Sequence, residues 1–514
     1  MKTKQASKLD KTILYSTVSL TGAAVMIIEL LGTRIIGPFY GVSLYVWSAL
    51  ISVTLIALAA GYFLGGRLAD SRSGFRLSHA ISLAALFTAA IPLLSDGVLL
   101  ATDALGIRAG ALASAVLLFF IPLTLLAMVG PFVITLAAEK LDNVGTVSGS
   151  VYAISTCGSV LGTLLLGFYL LPQFGSRSIV DVLSLLLVLL AIGTACYEKQ
   201  RNTQGSVIFV LPAGLIALVM LAFSHAIQAQ DQTSKYRQLS AKESIYGWVR
   251  VIDEPEQEIR WLMSDASTIG SASLLTGDGL LQYQHTIKQL PNYHPHATNA
   301  LLIGLGTGHL ATAFNGMGII TDTIEINPAV ADAAKRYFKF KPVGKFIIGD
   351  ARYQVRQLHK KYDFIIHDCF TGGTDPAYLL TREMFQDLRS RLKPGGILAL
   401  NLVGFLRGEE SNGTIVISRT LKQTFQYTKV FKTDIKSNFN DITFFASNSP
   451  LQISGVHNRA RLGLWVSNHE VHFPDNEGLI LTDDFNPLDS IQVRKAELYR
   501  KYMVERVGLA MLMW

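Results

Sequence analysis

Long apolar stretches follow one another from residue 12 to residue 228 and then stop. Seven can be read, at approximately 12–37, 44–65, 78–101, 110–138, 146–172, 178–197 and 206–228, separated by short polar breaks such as Arg67 to Arg76 and Glu198 to Gln204. About 20 apolar residues in a helix, rising 1.5 Å each, cross the hydrocarbon layer of a bilayer. The pattern therefore predicts an α-helical multi-span membrane domain over residues 1–228. Lys8 and Lys11 precede the first stretch as they would precede a signal peptide, but the further stretches behind it make it a span. Gly, Ser, Ala and Thr at close spacing between Gly145 and Gly167 predict close helix packing, which in lipid depends on small residues. Glu29 and Arg34 sit in or near the first span, where a charge must be paired or reach water. They form either a structural ion pair near a helix end or part of a polar pathway or ligand pocket.

Beyond Gln228 the pattern changes. Gln, Asp, Lys and Ser dominate residues 229–240, which read as an exposed linker. From Ser244 to Thr268 apolar and polar residues alternate around a turn at Asp253–Glu256, predicting a small β-hairpin lobe within residues 241–297. Residues 298–514 then repeat strand, turn and helix. Strands are expected at Ala300 to Ile303, Thr321 to Ile326, ahead of Gly349-Asp350-Ala351, at Asp363 to His367 and at Ile397 to Leu402, with a helix at Ala329 to Phe338. This alternation implies a Rossmann-like α/β domain of the class I methyltransferase type, with a parallel sheet, helices on both faces and ligands at the carboxyl ends of the strands.

Composition agrees with a membrane part joined to a soluble one: of 514 residues, 50% are hydrophobic and 16% charged. The formal charge of +7 is scattered along the chain, which argues against a nucleic-acid partner. Three cysteines, Cys157, Cys196 and Cys369, lie far apart without metal-ligand spacing, so neither a disulfide framework nor a metal site is expected.

Candidate chemistry gathers at the strand ends. Gly304, Gly306 and Gly308 follow the first strand and allow backbone to approach a ligand closely. Glu325 ends the second strand about 20 residues on, the spacing at which an acid meets ribose hydroxyls. Asp350 follows the third strand, placed to accept from an adenine amino group, and Asp368 follows the fourth. Nicotinamide enzymes share the first two features; Asp350 turns the reading toward an adenosyl sulfonium cofactor.

From Ser244 to about Thr433 the sequence resembles the spermidine and spermine synthases, through SIYGWVRVI, LLQYQHTIKQLP, LLIGLGTGHL, DTIEINP, IIGDAR, DFIIHDCF and LLTREMF. Its apolar half, with TGAAVMIIELLGTRIIGPFYG and GYFLGGRLAD, is similar to the membrane-fused branch of that family. The resemblance implies that Glu325 holds the ribose, that Asp350, Ala351 and Pro376 hold the adenine side of the cofactor, and that Asp368 is the catalytic acid/base. It also places Gln284 beside the substrate and lines the amine channel with Tyr246 and Tyr283, which as isolated aromatics read instead as core residues. The chain departs from the family at Thr307, where the soluble synthases carry an aspartate in the glycine turn, and at Thr371, which falls on the second aspartate of their Asp-Ser-Ser-Asp-Pro loop. Gly247 stands where they have a glutamine. Asp375, Asp483 and Asp484 either restore the missing negative charge or serve loop solvation and turns.

The function this implies is a membrane-bound transferase moving an aminopropyl group from decarboxylated S-adenosylmethionine to a polyamine such as putrescine. The alternatives are methyl or other alkyl transfer from S-adenosylmethionine itself, and a non-catalytic metabolite-binding module coupled to a transporter or sensor. Expected partners are a small amine or other nucleophile, the lipid bilayer and a second copy of the chain. The expected place is the inner cell membrane with the catalytic domain in the cytoplasm. GGRLADSRSGFR resembles a cytoplasmic loop of major facilitator transporters, and its arginines place it inside with the N-terminal lysines. Seven spans would then put the soluble half outside, a conflict that an even number removes.

Overall fold

The computed structural model describes residues 8–41, 44–71, 74–138, 144–200, 206–230, 235–369, 375–453, 459–474 and 477–508. The chain divides into two compact units, one ending at Thr233 and the other beginning at Ser234.

The first unit is helical. Helices run over Lys8–Tyr40, Leu44–Asp70, Leu77–Thr102, Gly106–Ala127, Val129–Ala137, Val144–Leu165, Ser176–Gln200 and Ser206–Gln230. Small residues carry the interior. A Cβ added at Gly158 would sit 2.1 Å from the carbonyl oxygen of Ser19, and one at Gly162 would meet Ala23. The Gly145–Gly167 stretch thus packs its backbone against the first helix, as its composition predicts. Large apolar side chains face outward, Leu55, Phe63 and Phe168 among them. Among the described residues, five stretches are long and apolar enough to cross a membrane. The difference from the seven expected has two sources. Leu77–Ala137 counts as one stretch of 61 residues, although a short turn at Asp103–Leu105 divides it. The described apolar part of the last helix, Ile208–Ser224, is short.

The second unit opens with a four-stranded antiparallel meander, β1 (Arg237–Ser244), β2 (Gly247–Glu254), β3 (Ile259–Ser264) and β4 (Ser267–Ser273). It is larger than the expected hairpin, and β1 begins inside the segment read as linker, because the polar residues of an edge strand resemble an exposed tether. Gly247 has a structural reason: its φ is +131°, and a Cβ there would meet the Asp265 carboxylate at 2.7 Å.

The main sheet contains β5 (Asn299–Ile303), β6 (Ile320–Glu325), β7 (Phe346–Ile348), β8 (Tyr362–His367), β9 (Leu392–Phe405), β10 (Tyr427–Lys432), β11 (Phe439–Ser447) and β12 (Glu470–Val471). Their spatial order is β12-β10-β11-β9-β8-β5-β6-β7. β5 to β9 pair in parallel, whereas β11 pairs antiparallel with β9 and β10, and β12 antiparallel with β10. The sheet is therefore mixed, not purely parallel as expected. No crossover helix lies between β10 and β11, only a short turn, and such a connection dictates antiparallel pairing. Buried apolar clusters cover both faces, one around Leu301, Ile365 and Leu398, the other around Leu302, Ile366 and Ala399.

Candidate active site

The turn after β5 is the first element of the site. Gly304, Gly306 and Gly308 all have positive φ, at +85°, +52° and +80°. A Cβ at Gly304 would lie 2.1 Å from the backbone oxygen of Asp368, so the turn after β5 and the end of β8 touch backbone to backbone. Glycine there brings the two strand ends together, which is what a shared site requires.

Glu325, the last residue of β6, is buried. Its Oε2 accepts from the Leu305 N–H at 2.9 Å and its Oε1 from the Asn327 N–H at 2.8 Å. Burial raises its pKa, while these backbone donors oppose the shift. Each carboxylate oxygen keeps acceptor capacity beyond the single bond it makes, enough for two vicinal hydroxyls. Asp350 caps the helix Ala351–Gln357: its Oδ1 accepts from the Tyr353 N–H at 2.8 Å and its Oδ2 from the Tyr378 hydroxyl at 3.0 Å. Ala351 is buried at the head of that helix, and Pro376 precedes the turn Ala377–Leu379 that carries Tyr378. Glycine turn, Glu325 and the Asp350 cap thus line adjacent parallel strand ends, an arrangement that fits an adenosyl group.

Asp368 is held from two sides. The Tyr283 hydroxyl donates to its Oδ2 at 2.6 Å, and Asn401 Nδ2 donates to its Oδ1 at 3.1 Å. Burial pushes its pKa up to about 6, with both hydrogen bonds pulling the other way. At neutral pH it is still mostly ionised, as a proton acceptor must be. Tyr283, buried against that carboxylate, is held well above the usual phenol range by burial first and by Asp368 second. Gln284 beside it is 4% exposed, and its Oε1 meets no donor among the described residues.

The glycine turn itself carries no acid. Thr307 is 2% exposed, and its Oγ1 lies 2.6 Å from His309 Nδ1, while His309 Nε2 lies 2.9 Å from the Gly277 carbonyl. A carbonyl can only accept, so Nε2 carries the proton and the Thr307 hydroxyl donates to Nδ1. Burial lowers the His309 pKa, in keeping with a neutral ring.

Asp375 does not supply the missing charge. Its Oδ2 accepts from Lys495 Nζ at 2.5 Å and from Gln492 Nε2 at 2.8 Å, a buried ion pair tied to the C-terminal helix. Asp483 pairs with Arg352. Tyr246 is exposed at the β1–β2 turn, and no hydrogen bond joins its side chain to Asp368 among the described residues. Thr371 lies outside the described residues. Asn401, which donates to Asp368, is a site residue that sequence reasoning passes over. A lone Asn inside the apolar run ILALNLV is the signal that could have found it.

Residues 280–455 match the family described as Spermine/spermidine synthase domain. Over 483 aligned residues the chain is 27% identical to an N-terminal histidine N-methyltransferase of Emericella nidulans, a likeness covering 82% of each chain. It is 34% identical over 116 residues to a polyamine aminopropyltransferase of Vibrio vulnificus, covering 21% of this chain and 39% of that one. A probable spermidine synthase from Corynebacterium glutamicum overlays with a TM-score of 0.38 at 17% identity, covering 45% of this chain and 86% of that one.

Proposed function

We propose that this chain, whose residues 280–455 match the spermine/spermidine synthase domain, is a membrane-anchored transferase that moves a methyl group from S-adenosylmethionine to a nitrogen of its acceptor. The observation that carries this choice is the uncharged glycine turn, where the buried Thr307 gives its hydroxyl to His309 and leaves no carboxylate for an aminopropyl ammonium group. Like charges a few ångströms apart repel by several kcal/mol at an effective dielectric near 20, on the order that decides between cofactors. Without an acid there, the carboxylate of S-adenosylmethionine meets no repulsion. The relative that spans 82% of each chain is a methyltransferase, which supports the same choice. The acceptor in its name, an N-terminal histidine, makes an imidazole or amine nitrogen the acceptor group we assign.

In this reading the glycine turn and Glu325 hold the nucleoside, with Asp350 and Tyr378 closing the adenine side. The sulfonium supplies an electrophilic carbon and a neutral thioether leaving group. Asp368 accepts a hydrogen bond from the acceptor's N–H and takes that proton as the nitrogen–carbon bond forms and the carbon–sulfur bond breaks. Tyr283 and Asn401 fix the orientation of its carboxylate. Aminopropyl transfer is the second reading, favoured by the description of the matching domain family and by the Vibrio relative. Incubating the purified protein with each cofactor in turn, and reading the acceptor's mass, separates the two.

A further inference from the structure

One face of the main sheet changes character along its length. Phe364 and Ile366 on β8, Ala399 on β9 and Phe445 on β11 belong to a buried apolar cluster. Two residues further toward the site, alternation brings Asp368, Asn401 and Thr443 onto the same face. Thr443 stands opposite Asn401 in the β9–β11 register, and its hydroxyl reaches Asn401 Oδ1 at 3.4 Å. One more step along β11, on that face and opposite Val403, is Asp441. Its side chain makes no hydrogen bond or ion pair among the described residues, although Phe439 on the same face packs against the Tyr499 ring at 6.4 Å. Burial and the neighbouring Asp368 push the Asp441 pKa up to about 7. The hydrogen-bonded chain Tyr283, Asp368, Asn401 and Thr443 therefore ends beside a second carboxylate for which no partner is described.

We infer that Asp441 is the acceptor-recognising carboxylate of this site, and that the acceptor carries an ammonium group next to the nitrogen that is alkylated. The inference rests on the transferase reading above. A peptide amino terminus beside its own side-chain nitrogen has this form, and so does a diamine. Asp368 is occupied by Tyr283 and Asn401 and acts on the reacting nitrogen; Asp441 has its acceptor capacity left for the second cation. A charge-assisted hydrogen bond to this half-buried carboxylate gives about 10- to 100-fold in affinity.

The test is calorimetric titration of the full-length protein in detergent, saturated with S-adenosylhomocysteine. The probes are the dipeptide histidyl-glycinamide against its N-acetyl form, and putrescine against 4-amino-1-butanol. Wild type is expected to prefer the probe with the additional ammonium in at least one pair, by at least about tenfold. Asp441→Asn should reduce that ratio below about twofold and leave S-adenosylhomocysteine binding unchanged, and Asp441→Glu should retain most of the preference. Equal binding of both members in both pairs by wild type, or a ratio that survives Asp441→Asn, overturns the inference. Preference for putrescine alone, lost in Asp441→Asn, would keep Asp441 in its role and make a diamine, not a peptide amino terminus, the acceptor.

Discussion

Asp368 and Glu325 share the site but not the work, and substitutions should separate them. Glu325→Ala removes an acceptor fixed by two backbone donors, so the dissociation constant for S-adenosylmethionine should rise about 10- to 100-fold by calorimetry. Asp368→Asn keeps the shape and removes the proton acceptor; turnover should fall about 10²- to 10⁴-fold with cofactor binding nearly intact. Equal loss of binding in both variants would refute the division. Because the Asp368 pKa stands at about 6, the base is lost as pH falls through that value, and kcat should decline on the acid side accordingly. The Tyr283 hydroxyl lowers that pKa, so Tyr283→Phe should move the acid limb to higher pH; a limb that stays in place or moves down contradicts the assignment. At this scale the strand-end acids are legible in sequence because their positions follow from the chain order of one βαβ unit. Asp441 is not legible: it stands more than seventy positions from Asp368 in the chain, and the antiparallel return of β11 onto β9 brings it to the same end of the sheet.

The elements around the site are locked by contacts that no local pattern announces. The segment after β8 is anchored where Asp375 meets Lys495 and Gln492 of the C-terminal helical region, with Lys495 5% and Asp375 2% exposed. Removing one member of a buried pair leaves the other charged and unpaired. Lys495→Met should therefore destabilise the soluble unit by about 3–5 kcal/mol in thermal or denaturant melts, while the double variant Lys495→Met, Asp375→Leu should recover most of the loss. A single variant as stable as wild type would show that the pair is not desolvated as described. In sequence, Asp375 reads as a charge available to the site, since nothing local shows that a lysine 120 residues later will claim it. β1 was hidden for a related reason: strand propensity is weak in the polar run Arg237–Ser244, and the meander, not the segment, makes it a strand.

For the whole molecule, the two units differ in what holds them together. The helical unit packs through small residues such as Gly158 and Gly162, whereas the second unit has apolar clusters on both faces of its own sheet. A fragment from Lys235 to Trp514 should accordingly fold without the helical unit, melt cooperatively and bind S-adenosylhomocysteine. Aggregation of that fragment beside a well-behaved full chain would count against independence. The division into an apolar helical half and an α/β half is legible because composition changes abruptly near Gln228, whereas the number of spans is not: helix length, turns and outward-facing side chains decide it together. Methyl transfer directed by an uncharged glycine turn stands or falls on one assay. The purified full-length protein is given S-adenosylmethionine or decarboxylated S-adenosylmethionine with histidyl-glycinamide and with putrescine, and the products are weighed by mass spectrometry. The expected result is a product one methyl group heavier from S-adenosylmethionine, with Thr307→Asp lowering its yield. An aminopropyl adduct formed only from the decarboxylated cofactor, with no methylated product from either acceptor, would contradict it.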